Sequence, residues 1–119
     1  MPTRCGEDEF VASGYALVVR FTLRDTSAAR QFDALVGRTI EGIRAEAGTV
    51  VYAVHTPVDE PLVRVFYELY ADRAAFQAHE EQAHTRHFLT AREALVSNVE
   101  VTFLDELEGL SKRPGTEQS

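Results

Sequence analysis

LVRVFYELYADRAAFQAHEEQAHTRHF, residues Leu62–Phe88, is the stretch on which the reading of the chain turns, because it joins the most strand-like run to the segment holding three of the four histidines. Leu62–Tyr70 is dense in β-branched and aromatic residues and reads as a buried strand. Asp72 then offers an N-cap for a helix that begins with Ala74, Ala75 and Phe76. Side chains alternate along a strand, so Glu68 and Tyr70 share a face, and His79 lies about two helical turns beyond the junction. A carboxylate, a phenol and an imidazole are thereby brought to one place, where the helix leans back over the sheet. Each also has an ordinary structural reading: Glu68 as a strand-end charge, Tyr70 as a core aromatic, His79 as a surface residue.

Upstream, Tyr15–Leu23 (YALVVRFTL) reads as the first strand. Asp25, Thr26 and Ser27 are N-cap candidates for a helix in which Ala29, Phe32, Val36, Ile40 and Ile43 recur at three- and four-residue spacing, and Gly48 reads as its C-cap. Thr49–His55 (TVVYAVH) is a second strand, joined through Thr56–Pro61 to the strand at Leu62 as an antiparallel hairpin. Downstream, Phe76, Phe88, Ala91 and Leu95 do not share one stripe with His79, which predicts a helical region from Asp72 to Val96 broken near Gln82. Asn98–Leu107 alternates Val99, Val101 and Phe103 against Glu100 and Thr102 and reads as the last strand. Residues 1–14 read as an N-terminal arm in which Phe10–Ala12 could extend an edge strand, 15–108 as one domain, and 109–119 as a disordered tail.

The order strand, helix, strand, strand, helix, strand predicts an α+β fold, a ferredoxin-like split βαβ sandwich on an antiparallel sheet. One helical layer covers one sheet face, yet Val50, Tyr52 and Val54 point one way and Val51 and Ala53 the other, and the third strand is apolar on both sides. A second copy packed sheet to sheet would cover the open face, so a homodimer is expected.

Composition removes several classes of function. At 119 residues, 45% hydrophobic and 26% charged, the chain is a single globular domain with a real core. Asp and Glu outnumber Lys and Arg by 19 to 12, a formal charge of -7, which disfavours nucleic acid as a partner. No apolar run has the length of a membrane span and residues 1–14 lack the apolar centre of a signal peptide, so a cytoplasmic protein without a membrane partner is expected. The single cysteine, Cys5, has no partner for an internal disulfide or a thiolate cluster.

Glu68-x-Tyr70, Ala74-Ala75, His79, then His84 and Phe88, together with Gly48-Thr49-Val50-Val51-Tyr52-Ala53-Val54, resemble the antibiotic biosynthesis monooxygenase family over about Tyr15 to Leu107. The resemblance implies a dimeric α+β barrel of ferredoxin-like subunits. It also implies activities ranging from cofactor-free oxidation of quinols and aromatic polyketides to haem degradation and the isomerisation of small signalling molecules. The haem-degrading branch relies on an Asn and a Trp where this chain has Val19 and His79, and the chain has no Trp, so haem degradation is disfavoured. In the polyketide-oxidising branch a Trp often stands at Tyr70 and an Asn at Phe66.

The residues themselves suit oxygenation without flavin, haem or metal. A hydroquinone or anthrone gives an electron to O2 far more readily once a phenolic proton, ordinarily of pKa about 10, is removed. His79 is the candidate base, Glu68 would orient it or hold the imidazolium, and Tyr70 would hydrogen-bond the substrate oxygen. Tyr52, Phe66, Phe76 and Phe88 would wall a flat apolar cavity, with His84 as a further substrate contact or, like His87, a helix-surface or dimer-contact residue. Glu80, His84 and His87 fall at i, i+4 and i+7 and would share one helical face as a metal triplet, a pattern that charged helices also produce by chance. No cofactor or metal is expected. The competing functions are a non-catalytic aromatic-ligand-binding or stress-response dimer and an isomerase of a small hydroxy-ketone.

Overall fold

The computed structural model describes residues 12–114; the expected arm up to Val11 and the tail from Gly115 lie outside the described residues. Strand β1 runs Ala12–Leu23, helix α1 Thr26–Arg44, strands β2 Thr49–His55 and β3 Val63–Tyr70, helices α2 Arg73–Glu81 and α3 Ala83–Ala91, and strand β4 Val96–Leu107. All neighbouring strands pair antiparallel in the order β2-β3-β1-β4, the ferredoxin-like arrangement read from the sequence. Ala12–Gly14, assigned above to the arm, belong to β1, a central strand rather than an edge. The start of the expected tail forms a short 3-10 turn at Glu108–Leu110.

The register sorts the side chains into two faces. Tyr52, Glu68, Leu17 and Phe103 form one row across the sheet, and Val54, Phe66, Val19 and Val101 the next. These rows face the helices. Phe21, Phe32, Phe66 and Phe88 meet there with ring centroids 5.0 to 6.1 Å apart, tying α1 and α3 to β1 and β3. Such contacts hold beyond their buried area because most of the rings meet edge to face. Arg64 reaches from β3 to Asp33 on α1 with two hydrogen bonds, of 2.8 and 3.0 Å, and fixes the helix across the sheet. On the other face lie the rows Ala53, Tyr67, Val18, Thr102 and Val51, Leu69, Ala16, Leu104.

Local sequence sets the helix ends. The Asp25 carboxylate accepts the Ala28 N–H and the Asp72 carboxylate the Ala75 N–H, each at 2.8 Å, as N-caps should. The helical region after β3 does break at Gln82, whose ψ of 145° takes one residue out of the helix. Gly48 is not the C-cap of α1. The helix stops at Arg44, with the Ala45 N–H turned back to Gly42 and Ile43, and the chain makes a tight turn through Glu46 before β2. What Gly48 provides instead is room. A Cβ there would stand 2.5 Å from that of Ala75, so its absence lets α2 lie against the start of β2.

Candidate functional site

The three residues singled out from the sequence do converge, in an arrangement that differs from the expected one. Tyr70 is 0% exposed and its hydroxyl donates to the Glu68 carboxylate at 2.7 Å. The His79 ring packs on that of Tyr70, centroids 5.0 Å apart, and is itself 5% exposed. The group that holds His79 is not Glu68. Glu46, on the α1–β2 connection, receives Nδ1 at 2.9 Å on Oε1 and 3.1 Å on Oε2. The same carboxylate accepts the Thr49 hydroxyl at 2.6 Å and a close contact from Nε2 of His84.

These contacts set the charges. Burial alone would push the Glu46 carboxyl up, but hydrogen bonds from Thr49, His84 and His79 outweigh it and hold the group below the usual carboxylate range. An ionised Glu46 can only accept, so Nδ1 of His79 carries the hydrogen, and a neutral ring in that tautomer has its lone pair at Nε2. Glu68 behaves oppositely. Burial raises it to about 7 against the Tyr70 hydrogen bond, and the charges of Glu80 and Glu46 add to the rise. Both tyrosine hydroxyls are pushed above the ordinary phenol value, by burial first and by the Glu68 carboxylate second.

Between the sheet and the α2–α3 pair lies a cavity of about 180 Å3, walled by Tyr52, Phe66, Phe76, Phe88, Leu17 and Val101, with His79, Glu68, Glu80 and Arg92 among its polar groups. The four aromatics singled out in the sequence all border this cavity. Phe66 and Phe88 belong equally to the core cluster, whereas Phe76 bridges Tyr15, Tyr70 and Phe103 near the exposed edge of β4. Tyr70 is not among the lining residues. Tyr52 is, with a hydroxyl that has no hydrogen-bond partner among the described residues. His84 stands behind Glu46 and outside this cavity, and His87 is exposed on α3. The break at Gln82 places Glu80 on α2 and His84 and His87 on α3, so the i, i+4, i+7 triplet does not share one helical face. Among the described residues, the ones whose ligand atoms do lie together, within 4.8 Å of one another, are Glu46, His79 and His84.

Sequence reasoning missed two participants. Glu46 sits in a short Ala-Glu-Ala-Gly connection with no motif around it, 33 residues from its imidazole partner. Arg92, in the 3-10 turn after α3, stacks its guanidinium over Phe21 at 5.6 Å and leaves Nε buried without a hydrogen-bond partner among the described residues. A buried guanidinium N–H on a residue that lines the cavity calls for an acceptor.

Residues 14–91 match the sequence profile of the antibiotic biosynthesis monooxygenase family. The chain belongs to that family. Among solved structures, the fold is similar to that of Rv0793 from Mycobacterium tuberculosis, at 29% identity and a TM-score of 0.75 over 83% of this chain and 100% of the other. PA3566 from Pseudomonas aeruginosa aligns at 25% identity with a TM-score of 0.73, covering 81% and 96% of the two chains. An antibiotic biosynthesis monooxygenase of known structure aligns at 20% identity and a TM-score of 0.71, covering 78% and 98%. The chain matches no curated protein sequence. No helix among the described residues is long and apolar enough to cross a membrane.

Proposed function

We propose that the protein is a cofactor-independent monooxygenase that oxidises a small quinol with O2, with His79 as its base. The observation that supports this reading above others is a buried imidazole held through Nδ1 on a half-buried carboxylate at the wall of an apolar cavity. Nε2 takes the phenolic proton, and the imidazolium that forms is stabilised by Glu46, a role the sequence reading gave to Glu68. Arg92 and the Tyr52 hydroxyl are donors for the substrate oxygens, with the guanidinium matched to the phenolate. Glu68, poised near neutrality, exchanges the second quinol proton. The quinol supplies the electrons: one atom of O2 enters the ring, the other leaves as water, and a hydroxyquinone results.

Cavity size narrows the substrate. An apolar cavity of about 150 Å3 holds one benzene ring, so about 180 Å3 suits a monocyclic quinol better than a tricyclic anthrone. A second copy on the outer sheet face, where Val18, Tyr67, Val51 and Leu104 stand, completes the assembly in this reading.

O2 consumption with a panel of mono- and tricyclic hydroquinones, with anaerobic controls, tests the proposal. Uptake with monocyclic quinols that falls by about 10²- to 10⁴-fold in His79→Ala is the expected result. Uptake unchanged in His79→Ala overturns the mechanism, and saturable quinol binding with no product overturns the activity.

A further inference from the structure

His79 stands between two hollows. Its ring lines the apolar cavity, and it also borders an outer pocket of about 340 Å3 formed where Gly42, Glu46 and Gly48 face Ala75, Ala78 and Gln82. The ring edge held by Glu46 belongs to a cluster that the oxygenase chemistry only partly uses, since it leaves His84 with no part in the reaction.

We propose that Glu46, His79 and His84 form a binding site for a divalent transition-metal ion of the zinc class, loaded from the outer pocket, and that an ion there silences the base. The second half rests on the oxygenase reading; the first does not. Two imidazole nitrogens and one carboxylate, with an open fourth position, are a donor set that zinc accepts. The ligands come from three separate segments, the α1–β2 connection, α2 and α3, so tertiary packing holds them before any ion arrives. Side-chain exposures of 6% for His79, 10% for Glu46 and 22% for His84 leave the cluster largely shielded, with His84 its most accessible member. Thr49 already orients the carboxylate from behind at 2.6 Å, as an outer-shell partner would. Gly42 is part of the same construction: a Cβ there would collide with the His84 ring, so only glycine lets that imidazole settle against α1.

An ion bound to Nδ1 of His79 displaces the hydrogen that Glu46 now accepts. The neutral ring must then carry its hydrogen on Nε2, which turns from acceptor to donor and can no longer take a phenolic proton. The ion thereby selects the unproductive tautomer without entering the substrate cavity.

The test is a Zn2+ titration of chelator-stripped full-length protein by calorimetry, alongside O2 uptake with a quinol substrate. One ion per chain is expected, with binding lost in Glu46→Gln and His84→Ala, weakened about tenfold or more in Thr49→Val and unaltered in His87→Ala. Circular dichroism of each variant separates loss of a ligand from loss of the fold, and the outer-shell Thr49→Val variant tests the site without removing a ligand. Uptake by the wild-type protein should fall as the site fills and return with EDTA. Absence of stoichiometric Zn2+ binding, or binding unchanged in His84→Ala, overturns the site. Binding with uptake unchanged or increased overturns the silencing. Stoichiometric binding to a protein that oxidises no quinol would leave the site standing and sink the oxygenase reading instead.

Discussion

His79 does its proposed work through a proton that sits on the far side of its ring, and the residue that keeps it there is Glu46. Glu46 does not line the apolar cavity, so Glu46→Gln should lower kcat while leaving the quinol KM close to that of the parent, with a smaller loss than His79→Ala. Steady-state kinetics on the two variants will show whether the split holds. Arg92→Met should do the reverse and raise KM on the order of tenfold or more, the worth of a hydrogen bond to a charged group. Glu68 has a consequence for stability. Its carboxyl is raised from 4.5 to about 7, so as pH rises the unfolded chain releases this proton before the native protein does. Between those values the native state binds more protons and loses stability with rising pH, by roughly 3 kcal/mol once both states are ionised. Glu68→Gln removes that penalty, and urea midpoints should show the variant gaining about 2 kcal/mol on the parent between pH 5 and pH 8. That Glu68 and Tyr70 would meet was legible from strand alternation alone. That they would satisfy each other, leaving Glu46 to hold the imidazole, was not, because nothing local in the sequence marks a partner 33 residues away.

At the scale of elements, the site depends on how closely α2 and α3 approach the end of α1 and the start of β2. Two glycines permit it, Gly48 under Ala75 and Gly42 under the His84 ring. Ala is intrinsically a better helix former than Gly by about 1 kcal/mol, so Gly42→Ala on a free helical surface would stabilise the protein. Here the added methyl meets His84, and thermal melts should show no gain or a loss, with the His84 imidazole NMR signals shifted from their place on Glu46. Asp72→Ala removes the cap that starts α2 and should cost about 1 kcal/mol. The break at Gln82 was readable because the apolar positions of α2 and α3 fall out of phase. The end of α1 was misread, because a glycine after a helical stripe looks the same in sequence whether it caps the helix or clears space for a neighbour.

The molecule as a whole has one sheet face toward the helices and an outer face that carries an apolar patch, with Val18 between Tyr67 and Thr102. In the proposed dimer that face is the contact. Val18→Glu points away from the helix-side core, so it should halve the mass seen by light scattering while far-UV circular dichroism stays that of the parent; a mass unchanged by the charge would place the contact elsewhere. The sequence by itself determined the elements, their order and the two apolar faces, and hence the α+β class and the family. Those features rest on periods of two and 3.6 residues and on caps, which act between near neighbours. Only the tertiary structure decided that Glu46 and His84 gather on one edge of His79, that Arg92 lines the cavity with an N–H unpaired among the described residues, and that Tyr70 is spent on Glu68. Side chains far apart in sequence are brought together by packing that no short pattern encodes, and a charged group's role follows from which partners share its burial.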